Sequence, residues 1–422
     1  GDLASRVEAY LEGYRITGNF SGQILIARDG EILLSRAYGH ADPDALQLNN
    51  NETVFHLASV SRIFTSAAIL LLVQEGRLGL QDPLSKHLPD WPRGDEITIH
   101  HLLTLSAGFP NINSMARYPL WSQFSQTPES LVKKFRDLPL EFTPGKRSVH
   151  SNSNYNVLAL LIERLARRSY GQFLEEALFE PLGMQRTSHD GNGKQTVANE
   201  AIGFAPVGLG GLEPAPTLDW SVKTGNGSIY STAEDLYRFD RMLVAGSLLT
   251  DASVRQTFTE HFENSGYGWF IVDRAGRTEV HINGRSPGFG TYWGRSVDED
   301  VTVIVLGNIY NSVSTPIGRD LISMVLEEPI ETPILSREPI DPKLAKSLVG
   351  TYRMGPDFYV PNAEVQVTTK DGHLFSRSAW LMPAGGSTFV HRIYWSTLDF
   401  RQDGSGRFVD LKYDDFVGKR LD

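Results

Sequence analysis

The chain has no cysteine in its 422 residues. That single absence excludes disulfides, thiolate metal sites and a cysteine nucleophile. Long apolar runs are missing too; the stretch from Ser66 to Val73 is too short to span a bilayer, so no transmembrane segment is expected. No signal peptide is visible, although Gly1 in place of Met suggests a processed or tagged start, which leaves room for a removed export signal. No His-Glu-x-x-His or comparable spacing suggests zinc, and the adjacent His100 and His101 would point apart on a helix or a strand. Gly208-Leu209-Gly210-Gly211 and Gly288-Phe289-Gly290 lack both a following Lys-Ser/Thr and the full dinucleotide fingerprint, which argues against nucleotide binding. No cofactor and no metal are called for. A net charge of −10 argues against nucleic acid or an anionic membrane as a partner and leaves a small-molecule substrate. The most basic local cluster, Lys133-Lys134-Phe135-Arg136, reads as a solvated helix face.

What is present is an ordinary globular composition, 41% hydrophobic and 21% charged, long enough for two or three domains. Residues 5–17 carry a helical apolar pattern through Val7, Tyr10, Leu11 and Tyr14. Gly22–Ile26 and Ile32–Ala37 read as strands around an Asp29-Gly30 hairpin turn. Ile63–Glu75 and Asn154–Ala166 read as apolar, buried helices. Strand signals return at Gly268–Asp273, Glu279–Ile282, Gly290–Trp293 and Val301–Leu306, before a helix around Gly318–Leu326. Strands at both ends of the first 330 or so residues, with helices between, predict an α+β fold in which an antiparallel sheet is closed by the two ends of the chain. The expected division is a main domain over 1–328, a Pro-rich linker over 329–342, and a small all-β domain over 343–422.

Three segments carry the chemistry. Ser59-Val60-Ser61-Arg62 sets a serine before a long apolar helix; a serine there also serves as a plain helix cap. His150-Ser151-Asn152 ends a polar loop that feeds the second apolar helix, where Ser151 or Asn152 would equally serve as a cap. His281-Ile282-Asn283-Gly284 ends a strand in polar residues and glycine, which reads either as a hairpin turn or as backbone N–H groups brought close to a ligand.

Together these segments resemble the serine β-lactamase-like and penicillin-binding-protein-like family: class C β-lactamases, DD-peptidases and related esterases. VFHLASVSRIFTSAAILLLVQEGRLGLQDPLSKHLPDWP, ITIHHLLTLSAGFP, FEPLGM, GSIYSTAEDLYRFDRML and GFGTYWG resemble family segments in order. The resemblance covers roughly two-thirds of the chain and implies the β-lactamase/transpeptidase-like fold. It also implies a β-rich, lipocalin-like C-terminal domain, and export to a periplasmic or secreted location. The family's Ser-x-x-Lys stands here as Ser59 to Arg62, its Tyr-Ser-Asn as His150-Ser151-Asn152, and its Lys/His-x-Gly strand motif as His281-Ile282-Asn283. Leu105 and Ala107 replace more polar residues of a family loop.

Two proton-handling residues are thus exchanged. Arg62 cannot accept a proton. His150 can, and a nearby Arg62 would depress its pKa and keep it neutral at pH 7. The resemblance then implies Ser59 as nucleophile, His150 as general base and later acid, Arg62 as an electrostatic anchor, and Asn152 on a substrate amide or the His150 ring. His281 is expected on a substrate carboxylate or in proton transfer, Ser59 and Gly284 as the oxyanion hole, and Asn283, Tyr292 and Trp293 as substrate-binding residues. The expected activity is acyl transfer from an ester, amide or lactam, to water or another acceptor, through acyl-Ser59. The same residues also fit a repurposed member that binds a small molecule silently or catalyses a non-hydrolytic step without an acyl-enzyme. They fit as well a chain in which Arg62 or His150 was introduced to trap a substrate. The substrate and the oligomeric state are not written in the sequence.

Overall fold

The structure, a computed structural model, describes residues 2–191 and 197–422. Its centre is a six-stranded antiparallel sheet. The N-terminal helix α1 (Leu3–Ile16) leads into β1 (Gly22–Arg28) and β2 (Glu31–Tyr38). The helical middle of the chain contributes α2 (Arg62–Gln74) and α3 (Ser153–Ala166). The chain then returns through β3 (Phe270–Arg274), β4 (Arg277–Ser286), β5 (Phe289–Ser296) and β6 (Val301–Gly307) to α4 (Ser314–Val325). Strand order is β3-β4-β5-β6-β1-β2, so the two ends of the first domain meet where Gly22 of β1 pairs with Gly307 of β6.

Alternation along each strand sends successive side chains to opposite faces. Leu25, Ile282, Trp293, Ile304 and Leu306 enter one core with α2 and α3; Ile24, Ile26, Tyr292, Val303 and Val305 enter another with α1 and α4. Helix α2 is apolar nearly all round and is buried accordingly. Each of its Ile, Leu and Phe side chains contributes about 2 kcal/mol on leaving water. That burial fixes the helix that opens at Arg62, directly after Ser59-Val60-Ser61.

After α4, residues 329–337 have no regular structure. A short helix, Pro342–Leu348, precedes eight antiparallel strands, from Gly350–Met354 to Phe416–Arg420, closed into a barrel with its own core. The fold is therefore α+β with an all-β C-terminal barrel. Arg392 pins the barrel to the first domain. Its guanidinium donates to the Asn19 side-chain oxygen and to the carbonyls of Gly18, Val207, Gly208 and Gly211, at 2.8 to 3.1 Å. Among the described residues, no helix is long and apolar enough to cross a membrane.

Candidate active site

Ser59 sits on a strained turn held from both sides. The Leu57 N–H donates to the Ile229 carbonyl at 2.9 Å, and the Leu57 carbonyl accepts from Thr291 Oγ1 at 2.7 Å. Ala58 then adopts φ 51°, a left-handed conformation that costs a non-glycine residue about 1–3 kcal/mol. The strain swings the chain into a short 3-10 turn, Ala58–Ser61, ahead of α2. Ser59 caps neither element: the turn is preceded by Leu57 and α2 by Ser61, and neither start has a side-chain cap bond. Ser61 Oγ instead accepts the Ile229 N–H at 3.1 Å. The plain capping role is thus not the one Ser59 performs.

Gly284 of β4 lies against this turn. A Cβ there would stand 2.6 Å from Ser59 N and 2.7 Å from the Leu57 carbonyl oxygen, so only glycine admits the contact. The first N–H groups of a helical turn have no internal acceptor. Ser59 and Gly284, the expected oxyanion-hole pair, are therefore backbone neighbours.

Arg62, one turn on, is 5% exposed. Its Nε has no hydrogen-bond partner, and its guanidinium carbon stands 5.7 Å from the centre of the Tyr155 ring. Burial lowers its pKa from the ordinary value while Tyr155 raises it, and among the described residues no carboxylate answers the charge. Tyr155 itself is tied to the Leu103 carbonyl and to Ser66 Oγ at 2.9 and 3.1 Å. Arg62 lines a small cavity with Leu103, Leu105, Trp269 and Phe270, consistent with a less polar lining where Leu105 stands.

His150 is held by its chain neighbours. Ser148 Oγ donates to the Thr104 carbonyl at 2.8 Å, and the Val149 N–H donates to the Leu105 carbonyl at 3.1 Å. The residue as a whole is exposed, yet its ring is crowded by protein. That crowding first, then the positive charges of Arg62 and Lys223, push its pKa down to about 4. His150 is neutral at pH 7, and Arg62 is one of the causes. Asn152 is buried, and its N–H donates to Asn111 Oδ1 at 3.1 Å; its side chain does not cap α3, although the residue occupies the cap position.

Four expected site residues are not brought to Ser59. Gly284 faces the serine turn, so strand alternation turns Asn283 and His281 to the opposite side of the sheet. The His281 ring lies parallel to Tyr292 and feels the charges of Arg319 on α4 and of Arg274. That placement corrects the expectation that His281 meets a substrate carboxylate or helps proton transfer at Ser59. Asn283, paired in register with Tyr292, is exposed on that same far face. Tyr292 is 1% exposed, packed against Gly318 of α4, and Trp293 is 0% exposed among Phe239 and Trp269. Both are core residues, not pocket walls.

One residue was not singled out from the sequence. Lys223 ends a short 3-10 turn, Trp220–Lys223, and is 8% exposed. Its ammonium stands 5.8 Å from the centre of the Tyr118 ring, and burial alone pushes its pKa down to about 8. No motif spacing marks it; only its burial and its charge on His150 reveal it.

The model of the Beta-lactamase family matches residues 3–323. The Bacillus subtilis (strain 168) protein PbpX, whose name provisionally assigns it to the penicillin-binding proteins, is 33% identical over 296 residues, 69% of this chain and 72% of its own. Penicillin-binding protein 4* of the same organism is 26% identical over 425 residues, 92% of each chain. The D-amino acid amidase of Ochrobactrum anthropi SV3 shares the fold with a TM-score of 0.68 at 21% identity, over 78% of this chain and 98% of the amidase.

Proposed function

The chain belongs to the Beta-lactamase family, and on that premise we propose that it is a serine hydrolase or acyltransferase that works through an acyl-Ser59 intermediate on an ester, amide or lactam. The observation that carries this reading is the strained turn at Ala58, which presents Ser59 beside Gly284 and leaves its hydroxyl out of any cap. A family relative by fold is an amidase, which supports acyl chemistry of this kind.

In the proposed first step the Ser59 oxygen attacks the acyl carbon while neutral His150 takes its proton. The backbone N–H groups of Ser59 and Gly284 receive the developing oxyanion, and Arg62 adds a fixed positive charge that needs no reorganisation. The proton then goes to the leaving group, and water or another acceptor releases the acyl group by the reverse sequence. Asn152, beside His150 in the chain, orients the substrate amide or the ring.

A panel of chromogenic esters and amides, assayed with the unaltered protein, Ser59→Ala and His150→Ala, tests this. Loss of turnover in Ser59→Ala supports the acyl-enzyme. Turnover that survives Ser59→Ala and disappears in His150→Ala would replace it with the non-covalent reading, in which Arg62 and His150 polarise a substrate directly. The observation that favours this second reading is the exchange of both proton-handling residues, Arg62 and His150.

A further inference from the structure

His150 is a weak base at a pKa of about 4, and Arg62 is none, so His150 acting alone would take the Ser59 proton slowly. Lys223 is placed to take that proton. A Cβ on Gly227 would stand 3.4 Å from Lys223 Cδ and 3.5 Å from the carbonyl carbon of Ala58, the atom bonded to Ser59 N. The lysine stem and the Ala58–Ser59 peptide therefore flank one glycine, and the amine lies two bonds beyond Cδ. The side chain is buried, and no carboxylate pairs with its ammonium among the described residues. Asp219, on the same short turn, is engaged with the Ser221 N–H and hydroxyl at 3.0 and 2.5 Å. The other groups around it are Tyr118, whose hydroxyl burial pushes up to about 12, and neutral His150, with Arg62 beyond. A structural lysine buried in this way would be expected to meet an acid.

We propose that Lys223 is a second catalytic base of this site, its neutral amine accepting the Ser59 proton as the serine oxygen bonds to the acyl carbon. This rests on the acyl-Ser59 reading. The O–H bond of Ser59 breaks, the Oγ–C bond forms, and the proton moves to Nζ. As the bond to the leaving group breaks, that proton passes to it, directly or through His150. Water then gives its proton to the same amine as its oxygen bonds to the acyl carbon, and that proton returns to the Ser59 oxygen as the Oγ–C bond breaks and the acid leaves. The lysine missing from position 62 is thus replaced in space, from a different part of the chain.

The test is the rate at which an uncharged fluorophosphonate labels Ser59, followed from about pH 5 to about pH 10 in the unaltered protein, Lys223→Arg and Lys223→Met. The unaltered protein should label faster with rising pH and level off near pH 8, where the amine becomes neutral. Lys223→Arg keeps the charge but cannot accept a proton; it should lose that inflection and label at least ~100-fold more slowly above it. A profile flat above about pH 5 in the unaltered protein, or an inflection retained in Lys223→Arg, overturns the proposal and leaves His150 as the base. The unaltered profile decides this even if both variants misfold. Absence of Ser59 labelling at every pH overturns the acyl-enzyme reading itself, and the role of Lys223 with it.

Discussion

Arg295 and Arg62 are both buried arginines, 3% and 5% exposed, yet their surroundings are opposite. Arg295 sits on β5 inside a closed ion cluster. Its guanidinium donates to both Asp240 oxygens at 2.6 and 2.7 Å and to Asp300 at 2.7 Å, while Arg241 bridges the same two acids. Arg62 has an aromatic ring and an orphaned Nε. Lys223 likewise stands by an aromatic ring with no acid among the described residues, and Arg392, also without one there, has five oxygen acceptors. A buried charge costs several kcal/mol unless it is paired and hydrogen-bonded. Where the fold uses a cation for its own stability, it answers the charge. At the Ser59 turn no acid among the described residues does so, and under the proposed function that charge serves a substrate or an oxyanion.

The contrast breaks most sharply at Ser59. Ser59→Ala should lower turnover on the order of 10⁴-fold or more, with stability changed by no more than ~0.5 kcal/mol, because the hydroxyl supports neither the turn nor the helix. Turnover and a denaturant melt check both halves. Arg295→Met reverses the pattern: it leaves Asp240 in the core with one cation fewer and should cost ~3–5 kcal/mol in urea unfolding, with little effect on turnover of the folded fraction.

Arg62→Met sharpens the comparison from the other side. Removing an unanswered charge should leave stability unchanged or raise it by ~1 kcal/mol, while turnover falls ~10²–10³-fold. A loss of stability as large as that of Arg295→Met would mean that Arg62 is structural after all. The same substitution should raise the pKa of His150, since one of the charges depressing it is gone; a proton NMR titration of the ring reads this.

A smaller effect is the acid sensitivity of the neutral buried histidines. Burial, followed by nearby arginines, holds His281 and His391 down at about 4, well below the ordinary value of 6.5. Their folded pKa is depressed, so the unfolded chain binds protons first as pH falls. Their contribution to stability is whole above about pH 6.5 and is lost progressively toward about pH 4. His281→Gln should flatten the fall in denaturation midpoint between these limits. An unchanged slope would show that His281 does not report the far face of the sheet as described.

Much of the fold was legible because its signals are local. The Asp29-Gly30 turn, the apolar helix after Ser61 and the four returning strands each declare themselves within a few residues. The site was legible where a backbone constraint is written in one residue type: Gly284 has to be glycine against the Ser59 turn. It failed where strand parity was not carried through. With Gly284 facing the serine, two-residue alternation turns His281, Asn283 and Tyr292 away, and places Trp293 in the helical core. Lys223 was invisible for a different reason. It ends a short 3-10 turn that no motif marks, and its distinguishing property, burial with no acid partner among the described residues, is created only by tertiary packing.

The most direct measurement is the intact mass of the folded protein after incubation with a fluorophosphonate, beside Ser59→Ala. The account predicts a single adduct in the unaltered protein, mapped to Ser59 by peptide mass, and none in the variant. An unaltered protein that stays folded and gains no mass, or an adduct that persists in Ser59→Ala, would contradict it.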